Sequence, residues 1–343
     1  MAFVLLGVGV WFWRYPDRTG PARSAVATVD IPPGSGVVAI KRILVREGVI
    51  EDDLRFILLA KLMGTSRRLK AGEYALQPGL SPRAVLLYLA AGKTVLHAIT
   101  LPEGMNLYQA ADIVKAGGWG EREEFLRLAA DPGLIDGLGL QTDSLEGYLF
   151  PDTYFFEKGT SVRAIVTGMA KRMTQVLDEV GVPGREGAPG LAALDAGVAL
   201  AREQEPRLSR HEVLTLASII EKETALAAER PLVAKVFLTR LRVGMKLQAD
   251  PTVIYGLAKF GAPLTRADLE TPTPYNTYAR PGLPIGPICN PGRTAIVAVL
   301  NPAAEDYTYF VSQNDGSHYF SRTLAEHNRA VARYRKKRLS NRE

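Results

Sequence analysis

Residues 31–48 read IPPGSGVVAIKRILVREG, and residues 101–118 read LPEGMNLYQAADIVKAGG. The two stretches are an internal repeat with an offset of 70 residues. Ile31-Pro32-Pro33-Gly34 matches Leu101-Pro102-Glu103-Gly104, Val37, Ile40 and Ile43 match Leu107, Ala110 and Ile113, and Gly48 matches Gly118. Each copy predicts a strand, a Pro-x-Gly turn and an amphipathic helix stopped by Gly. Such a unit buries its helix against the other copy or against a sheet, which points to an α+β chain. Between the copies, residues 70–76 (KAGEYAL) predict a short strand, and Ser81 to Ala91 a helix capped by Ser81 and stopped by Gly92.

Further along, helices are expected over residues 121–131, from Ser161 to about Val180, and over residues 209–242, with a capping box at Ser209 and Glu212. Residues 146–156 (EGYLFPDTYFF) form an aromatic segment broken by Pro151, and residues 181–190 read as a loop. From Gly244 to Asn301 turn signals dominate, and a loop-rich stretch that long is usually functional. Tyr307–Val311 and His318–Ser321 predict a hairpin across Asn314-Asp315-Gly316, followed by a last helix from about Thr323.

With 343 residues, 47% of them apolar and 23% charged, the chain is long enough for two domains with buried cores and too apolar for wholesale disorder. Residues 333–343 hold six of the 42 Lys/Arg and one of the 36 Asp/Glu, so the net charge of +6 falls to about +1 without them. A basic tail alone does not make a nucleic-acid binder, and none is expected. Cys289 is the only cysteine, the histidines are His97, His211, His318 and His327, and no HExxH, Cys-x-x-Cys or GxxxxGK[ST] motif occurs. No disulfide, metal or other cofactor is therefore expected.

Residues 2–13 (AFVLLGVGVWFW) are apolar without a break. A bilayer-spanning helix needs about 20 such residues, so this run reads as the latter part of a membrane anchor, with its tryptophans at the interface. Arg14, Arg18 and Arg23 follow it, on the side that the charge rule would make cytoplasmic. Residues 16–26 (PDRTGPARSAV) read as a flexible linker. The expected organisation is an anchor at 1–14, a linker at 15–26, a small subdomain at 27–95 and a larger mixed α/β domain at 96–343 with a loop-rich cleft.

Chemistry concentrates in ASIIEKET, residues 217–224. At about 100° per residue, Val213, Leu214, Leu216, Ala217, Ile219 and Ile220 fill one arc of a helix. Glu221 and Glu223 project from opposite shoulders of that arc, and Glu223 stacks on Ile219 and Ile220. A carboxyl on an apolar face is costly unless paired or functional, and desolvation raises its pKa toward what a general acid needs. A buried ion pair with Lys235 or Arg240 would account for the pattern equally. Downstream, Gln248 and Asp250 precede a Pro turn, and Tyr275-Asn276-Thr277-Tyr278 offers aromatic platforms, an amide and a hydroxyl. Aromatic faces with amides and carboxylates suit a sugar site. They also suit a loop locked by its own side chains.

Taken together, several stretches resemble the endolytic murein transglycosylases of the YceG/MltG family. They are EGYLFPDTYFF at 146–156, LASIIEKET at 216–224, LQADPTVIYG at 247–256, DLETPTPYNTY at 268–278 and GLPIGPICNPG at 282–292. The run YTYFV at 307–311 and His318, Phe320, His327 and Asn328 continue the resemblance, and KAGEY at 70–74 and LPEGM at 101–105 resemble that family's LysM-like N-terminal part. The resemblance implies a single-pass protein of the cytoplasmic membrane. Its catalytic domain would stand on the extracytoplasmic side, its substrate would be peptidoglycan glycan strands and its neighbours peptidoglycan synthases (penicillin-binding proteins). It implies cleavage between N-acetylmuramic acid and N-acetylglucosamine that leaves 1,6-anhydro ends and terminates nascent strands. It places the catalytic glutamate at Glu223, with Glu221, Gln248, Asp250, Tyr275, Asn276 and Tyr278 toward the substrate. The alternatives are a hydrolytic muramidase with Asp250 as second carboxylate, and a noncatalytic glycan-binding scaffold.

Overall fold

The computed structural model describes residues 13–182 and 208–340, with side chains as far as Tyr334. Most of the expected anchor (residues 1–12), the loop expected at 181–190 from residue 183 onward, and the end of the basic tail lie outside the described residues. Among the described residues no helix is long and apolar enough to cross a membrane. The chain divides into two compact units, one of residues 1–98 with 155–160, the other of residues 99–154 with 161–343.

In the first unit, β1 (Ala27–Ile31) pairs antiparallel with β2 (Gly72–Leu76), with Ala27 opposite Leu76 and Ile31 opposite Gly72. Alternate residues of both strands point inward, so Val29, Ile31, Tyr74 and Leu76 are buried. Helix α1 (Val37–Arg46) adds Ile40 and Leu44, α2 (Arg55–Leu62) adds Phe56 and Leu59, and α3 (Pro82–Ala91) adds Val85, Leu86 and Leu89 to one core. Ser81 caps α3 through the Ala84 N–H, and Gly92 ends it in the left-handed region at φ 69°. The stretch expected to be a loose linker lies on this unit instead. Tyr15 is buried, the Pro16 carbonyl accepts the Arg83 N–H at 3.0 Å, and Arg18 pairs with Glu51 at 3.1 Å. A buried aromatic ring just after the apolar run supplies the contact that residue composition alone does not reveal.

Strands β3 (Leu96–Thr100) and β4 (Thr153–Glu157) pair, and the division between the units passes through both of them. The repeat is visible in the backbone: α1 spans Val37–Arg46 and α4 spans Leu107–Ala116, an offset of 70, with Gly34 and Gly104 at φ 78° and 74° and Gly48 and Gly118 at φ 64° and 72°. The copies do not share one core; α1 packs on β1 and α2, whereas α4 packs on α5 (Arg122–Ala129).

The second unit is mainly helical. After α5 come α6 (Pro132–Gly137), capped by Asp131, and α7 (Val162–Glu179), capped by Ser161. Then follow α8 (Arg210–Glu223), α9 (Arg230–Arg242), α10 (Asp250–Gly256), α11 (Arg266–Glu270) and α12 (Arg293–Leu300). The hairpin β5 (Tyr309–Ser312) and β6 (His318–Ser321) and helix α13 (Leu324–Ser340) close the chain. Helix α8 is the hub, packed against α9, α10 and α12. The expected continuous helix over 209–242 is broken at Thr224, whose extended backbone (φ −139°, ψ 132°) stops α8, and Pro231 opens α9. The Thr224 hydroxyl donates to Glu229 at 3.1 Å and so holds the break.

Asn290, fully buried, ties three segments together: it accepts the Leu149 N–H at 2.9 Å, donates to the Met105 carbonyl at 2.9 Å, and its own carbonyl accepts the Gly104 N–H at 2.9 Å. Beside it, Gly147 sits at φ 80°, and a Cβ there would lie 2.3 Å from Pro287. Gly139 has a similar φ of 71° with open space around it. Both Gly→Ala substitutions incur the left-handed cost of about 1–2 kcal/mol, and Gly147→Ala adds overpacking of about 1–3 kcal/mol. Denaturant titration of Gly139→Ala and Gly147→Ala should therefore rank the second as clearly the more damaging; equal losses would contradict the tight fit of residues 146–150 on the 286–290 loop.

Candidate active site

Helix α8 starts with a reciprocal capping box: the Ser209 N–H donates to the Glu212 carboxylate at 2.8 Å, and the Glu212 N–H donates to the Ser209 hydroxyl at 3.3 Å. Every residue from Val213 to Ile220 is buried, including Thr215 and Ser218. Those two hydroxyls donate to the carbonyls of His211 and Thr215, both at 2.7 Å, so the helix carries no unpaired polar group into the core. The result is a stiff apolar rod that ends, at its last residue, in Glu223.

The two glutamates on the shoulders of this rod have different surroundings. Glu221 is 5% exposed at its side chain; one oxygen is 2.7 Å from the Arg230 guanidinium and the other accepts the Gly292 N–H at 3.0 Å. Burial still pushes its pKa upward, against Gly292 and Arg230. Glu221 was expected toward the substrate; with both oxygens engaged by the protein, it instead braces α8 against α9 and α12. Glu223 is half-buried, and no hydrogen bond contributes to its electrostatics. Desolvation, with the Asp250 charge second, pushes its pKa up to about 8, against the attraction of Arg240. Its place at the negative end of the helix dipole works in the same direction. The ion-pair alternative finds its cations engaged elsewhere. Lys235 meets Asp306 at 3.3 Å, and Arg240 donates to the carbonyls of Thr308 at 2.9 Å and Leu247 at 2.6 Å.

The wall beside Glu223 is built from residues 247–252 and the loop 271–279. The Gln248 N–H donates to the Thr277 carbonyl at 3.2 Å, the Ala249 N–H to the Thr277 hydroxyl at 3.0 Å, and the Thr252 and Thr277 hydroxyls meet at 2.9 Å. This stitching holds Gln248 at φ 52°, a left-handed conformation that costs a non-Gly residue energy and marks functional turns. The Gln248 side chain is exposed. Asp250 occupies the first position of α10, where a negative charge is favoured, and accepts the Tyr278 hydroxyl at 2.5 Å. Tyr278, half-buried, has its phenol pKa raised, chiefly by desolvation and then by Asp250.

Asn276 was expected to hold sugar, and its geometry assigns it to the loop. It is fully buried, its amide donates to the carbonyls of Leu269 at 3.0 Å and Thr271 at 2.7 Å, and its oxygen accepts the N–H groups of Tyr278 at 2.8 Å and Ala279 at 3.2 Å. Nothing on that amide is left for a ligand. Tyr275 lies half-buried with its ring edge-on to Tyr255 of α10, centroids 4.8 Å apart. Gly256 makes this approach possible, since a Cβ there would fall 2.5 Å from the Thr273 hydroxyl.

One group escaped sequence reasoning. Glu146 is buried; one oxygen accepts the Leu107 N–H at 3.0 Å and the Tyr255 hydroxyl at 2.8 Å, and the other has no partner among the described residues. Desolvation pushes its pKa up to about 7. The available signal was a lone carboxylate inside the apolar run LEGYLF. Among the described residues, no three His, Cys, Asp or Glu side chains gather where a metal ion could bind.

The chain has relatives among known proteins. A model of the YceG-like family matches residues 29–333. The chain belongs to the YceG-like family. It is similar to a protein of Bacillus subtilis named endolytic murein transglycosylase, 33% identical over an alignment of 322 residues that covers 89% of this chain and 84% of that one. A protein of the same name from Streptococcus pneumoniae strain R6 is 31% identical over 91% of this chain, which spans only 59% of that relative's length. Among solved structures, a yceG-like protein from Listeria monocytogenes superposes with a TM-score of 0.59 at 33% identity, covering 90% of this chain and 99% of that one. The YceG-like match thus takes in α8, the Gln248–Asp250 turn and the 271–279 loop together.

Two outcomes follow from the electrostatics. Asp250→Asn removes the like charge that raises Glu223, so a carboxyl-resolved NMR titration should place the Glu223 midpoint lower than in the parent; an unmoved midpoint would remove Asp250 from the site. Because the folded-state pKa of Glu223 (about 8) lies above its ordinary value of 4.5, the folded chain holds a proton that the unfolded chain releases between those values. Stability from this group is therefore lost as pH rises from about 4.5 through 8. Glu223→Gln should melt close to the parent at about pH 4.5 and clearly above it at about pH 8.5.

Proposed function

We propose that the chain is a lytic transglycosylase that cuts peptidoglycan glycan strands internally, between N-acetylmuramic acid and N-acetylglucosamine, with Glu223 as its single proton carrier. The observation that carries this reading is the Glu223 carboxyl at the end of a buried helix, without a hydrogen-bond partner among the described residues and kept protonated near neutral pH next to the exposed Gln248 and Asp250. The relatives named endolytic murein transglycosylase support the substrate class.

The reaction follows from that one group. Protonated Glu223 gives its proton to the glycosidic oxygen as the bond to C1 of the muramic residue breaks. The resulting carboxylate takes the proton from the C6 hydroxyl of the same sugar, and that oxygen closes onto C1. One C–O bond breaks, one forms, the proton returns to Glu223 and no water is consumed. A raised pKa serves both halves, because the acid must be protonated at the start and basic enough to accept a proton later. Asp250, oriented by the Tyr278 hydroxyl, supplies negative charge opposite the developing oxocarbenium ion. Gln248 hydrogen-bonds the sugar, and Tyr275 offers part of its ring as a stacking face. Asn276 shapes the loop, and Arg240 steadies the Glu223 carboxylate formed midway. In this reading the products are 1,6-anhydro ends, and cutting terminates strand growth beside the synthases. The N-terminal apolar run anchors the chain in the cytoplasmic membrane with the site on the outer side, and the first unit acts as a LysM-like glycan-binding part.

Glu223→Gln should lower turnover of purified glycan strands by about 10²–10⁴-fold, and parental turnover should decline as pH rises through about 8 with loss of the proton donor. Mass spectrometry of the parent's products should show muramic ends lacking one water. Ends that contain that water would establish a hydrolase with Asp250 as its second carboxylate, and undiminished cutting by Glu223→Gln would end the proposal.

A further inference from the structure

Helix α2 has two unlike faces. Phe56, Leu59 and Ala60 are buried in the first unit's core. Leu54, Leu58 and Leu62, four residues apart, form one line along the opposite side and are 75%, 46% and 67% exposed. Three large apolar side chains in line on one short helix are more than the scatter of single leucines that a soluble surface carries.

From Leu54 onward the charges along this stretch are of one sign. Residues 54–70 contain no Asp or Glu. Lys61, Arg67 and Arg68 are exposed, and they have no ion pair among the described residues. The acidic residues just before the helix are engaged: Glu51 with Arg18 at 3.1 Å, Asp52 with Lys41 at 2.5 Å, and Asp53 with Arg55 at 2.5 Å.

Tyr15, two residues beyond the end of the apolar run, is held on this helix. Its ring is buried beneath the Arg55 guanidinium, 4.5 Å from the ring centroid, at the first turn of α2. Asp17 is bound to Arg83 at 2.8 Å. Trp13, the last residue of the run, is 83% exposed and stands two residues, at most about 7 Å of chain, from Tyr15. Whatever surface the run enters is thus within reach of the start of α2.

We infer that the leucine line of α2 and the cations of residues 61–68 form a docking face for an anionic lipid surface: Leu54, Leu58 and Leu62 enter the headgroup–acyl boundary, and Lys61, Arg67 and Arg68 meet lipid phosphates. The inference rests on the proposed membrane attachment of residues 2–13. Interfacial helices combine an apolar line with flanking cations in this way. A second copy is a poorer occupant, since a two-fold contact would bring the same unpaired cations together. A glycan is poorer too, since it needs aromatic faces and paired donors and acceptors that aliphatic side chains do not offer.

The test uses the full chain in vesicles of phosphatidylcholine alone or with phosphatidylglycerol. Leu58→Cys carries an environment-sensitive fluorophore (Cys289 is buried and does not compete), and some lipids carry a nitroxide near the headgroup. Expected are a blue-shifted emission and several-fold stronger nitroxide quenching in the phosphatidylglycerol vesicles, with most of that gain lost on combining Lys61→Glu, Arg67→Glu and Arg68→Glu. A chain that floats with the vesicles but shows no quenching in either lipid overturns this inference and leaves the anchor reading standing. A blue shift that grows with protein density rather than with phosphatidylglycerol overturns it in favour of a second copy. A chain that stays at the bottom of the flotation gradient overturns both readings.

Discussion

The second unit is organised around the cost of ending an apolar helix in a carboxyl group. Residues 213–220 of α8 are buried, which fixes the helix in its bed, and that rigidity carries Glu223 into a position with too little water for easy ionisation. An exposed helix could rotate or fray to hydrate the group. This one is held by a capping box at its start and by a hydroxyl-to-carboxylate contact just beyond its end. Proton affinity at the site is therefore a by-product of packing, and core residues far from any substrate contribute to it.

The surrounding groups divide the remaining work. Arg230 and the Gly292 amide neutralise Glu221, leaving one glutamate of the pair in play. Arg240 is near enough to Glu223 to temper its pKa, yet it is occupied with two carbonyls, so its attraction stays long-range. A direct ion pair would have cancelled the desolvation that raises the pKa. Asn276 and Thr277 supply the backbone fastening that lets Gln248 occupy an unfavourable conformation.

Much of this was legible in the residues themselves. Caps at Ser81 and Ser209 and the stop at Gly92 are local signals, read from a few neighbours. The helical arc of residues 213–220 likewise announced a buried helix with costly carboxylates. What stayed hidden depends on distant partners. Glu221 and Glu223 occupy equivalent shoulders of α8, and only Arg230, arriving after the helix has ended, separates them. Asn276 in a polar loop looks the same whether its amide faces a sugar or four backbone groups. Glu146 is solitary in sequence and gains meaning only from Tyr255, which lies far along the chain. Helix α12 was lost among prolines, and the break at Thr224 was masked by apolar periodicity that continues on both sides.

The order in which the first unit receives its parts has a consequence for biosynthesis. Residues 155–160 belong to that unit, where Glu157 accepts the Thr94 hydroxyl at 2.8 Å and Lys158 reaches Asp30 at 2.9 Å. A ribosome makes residues 99–154 before it supplies them. The N-terminal unit therefore leaves the exit tunnel with its final edge missing, and it is completed only after a stretch of its neighbour has already emerged.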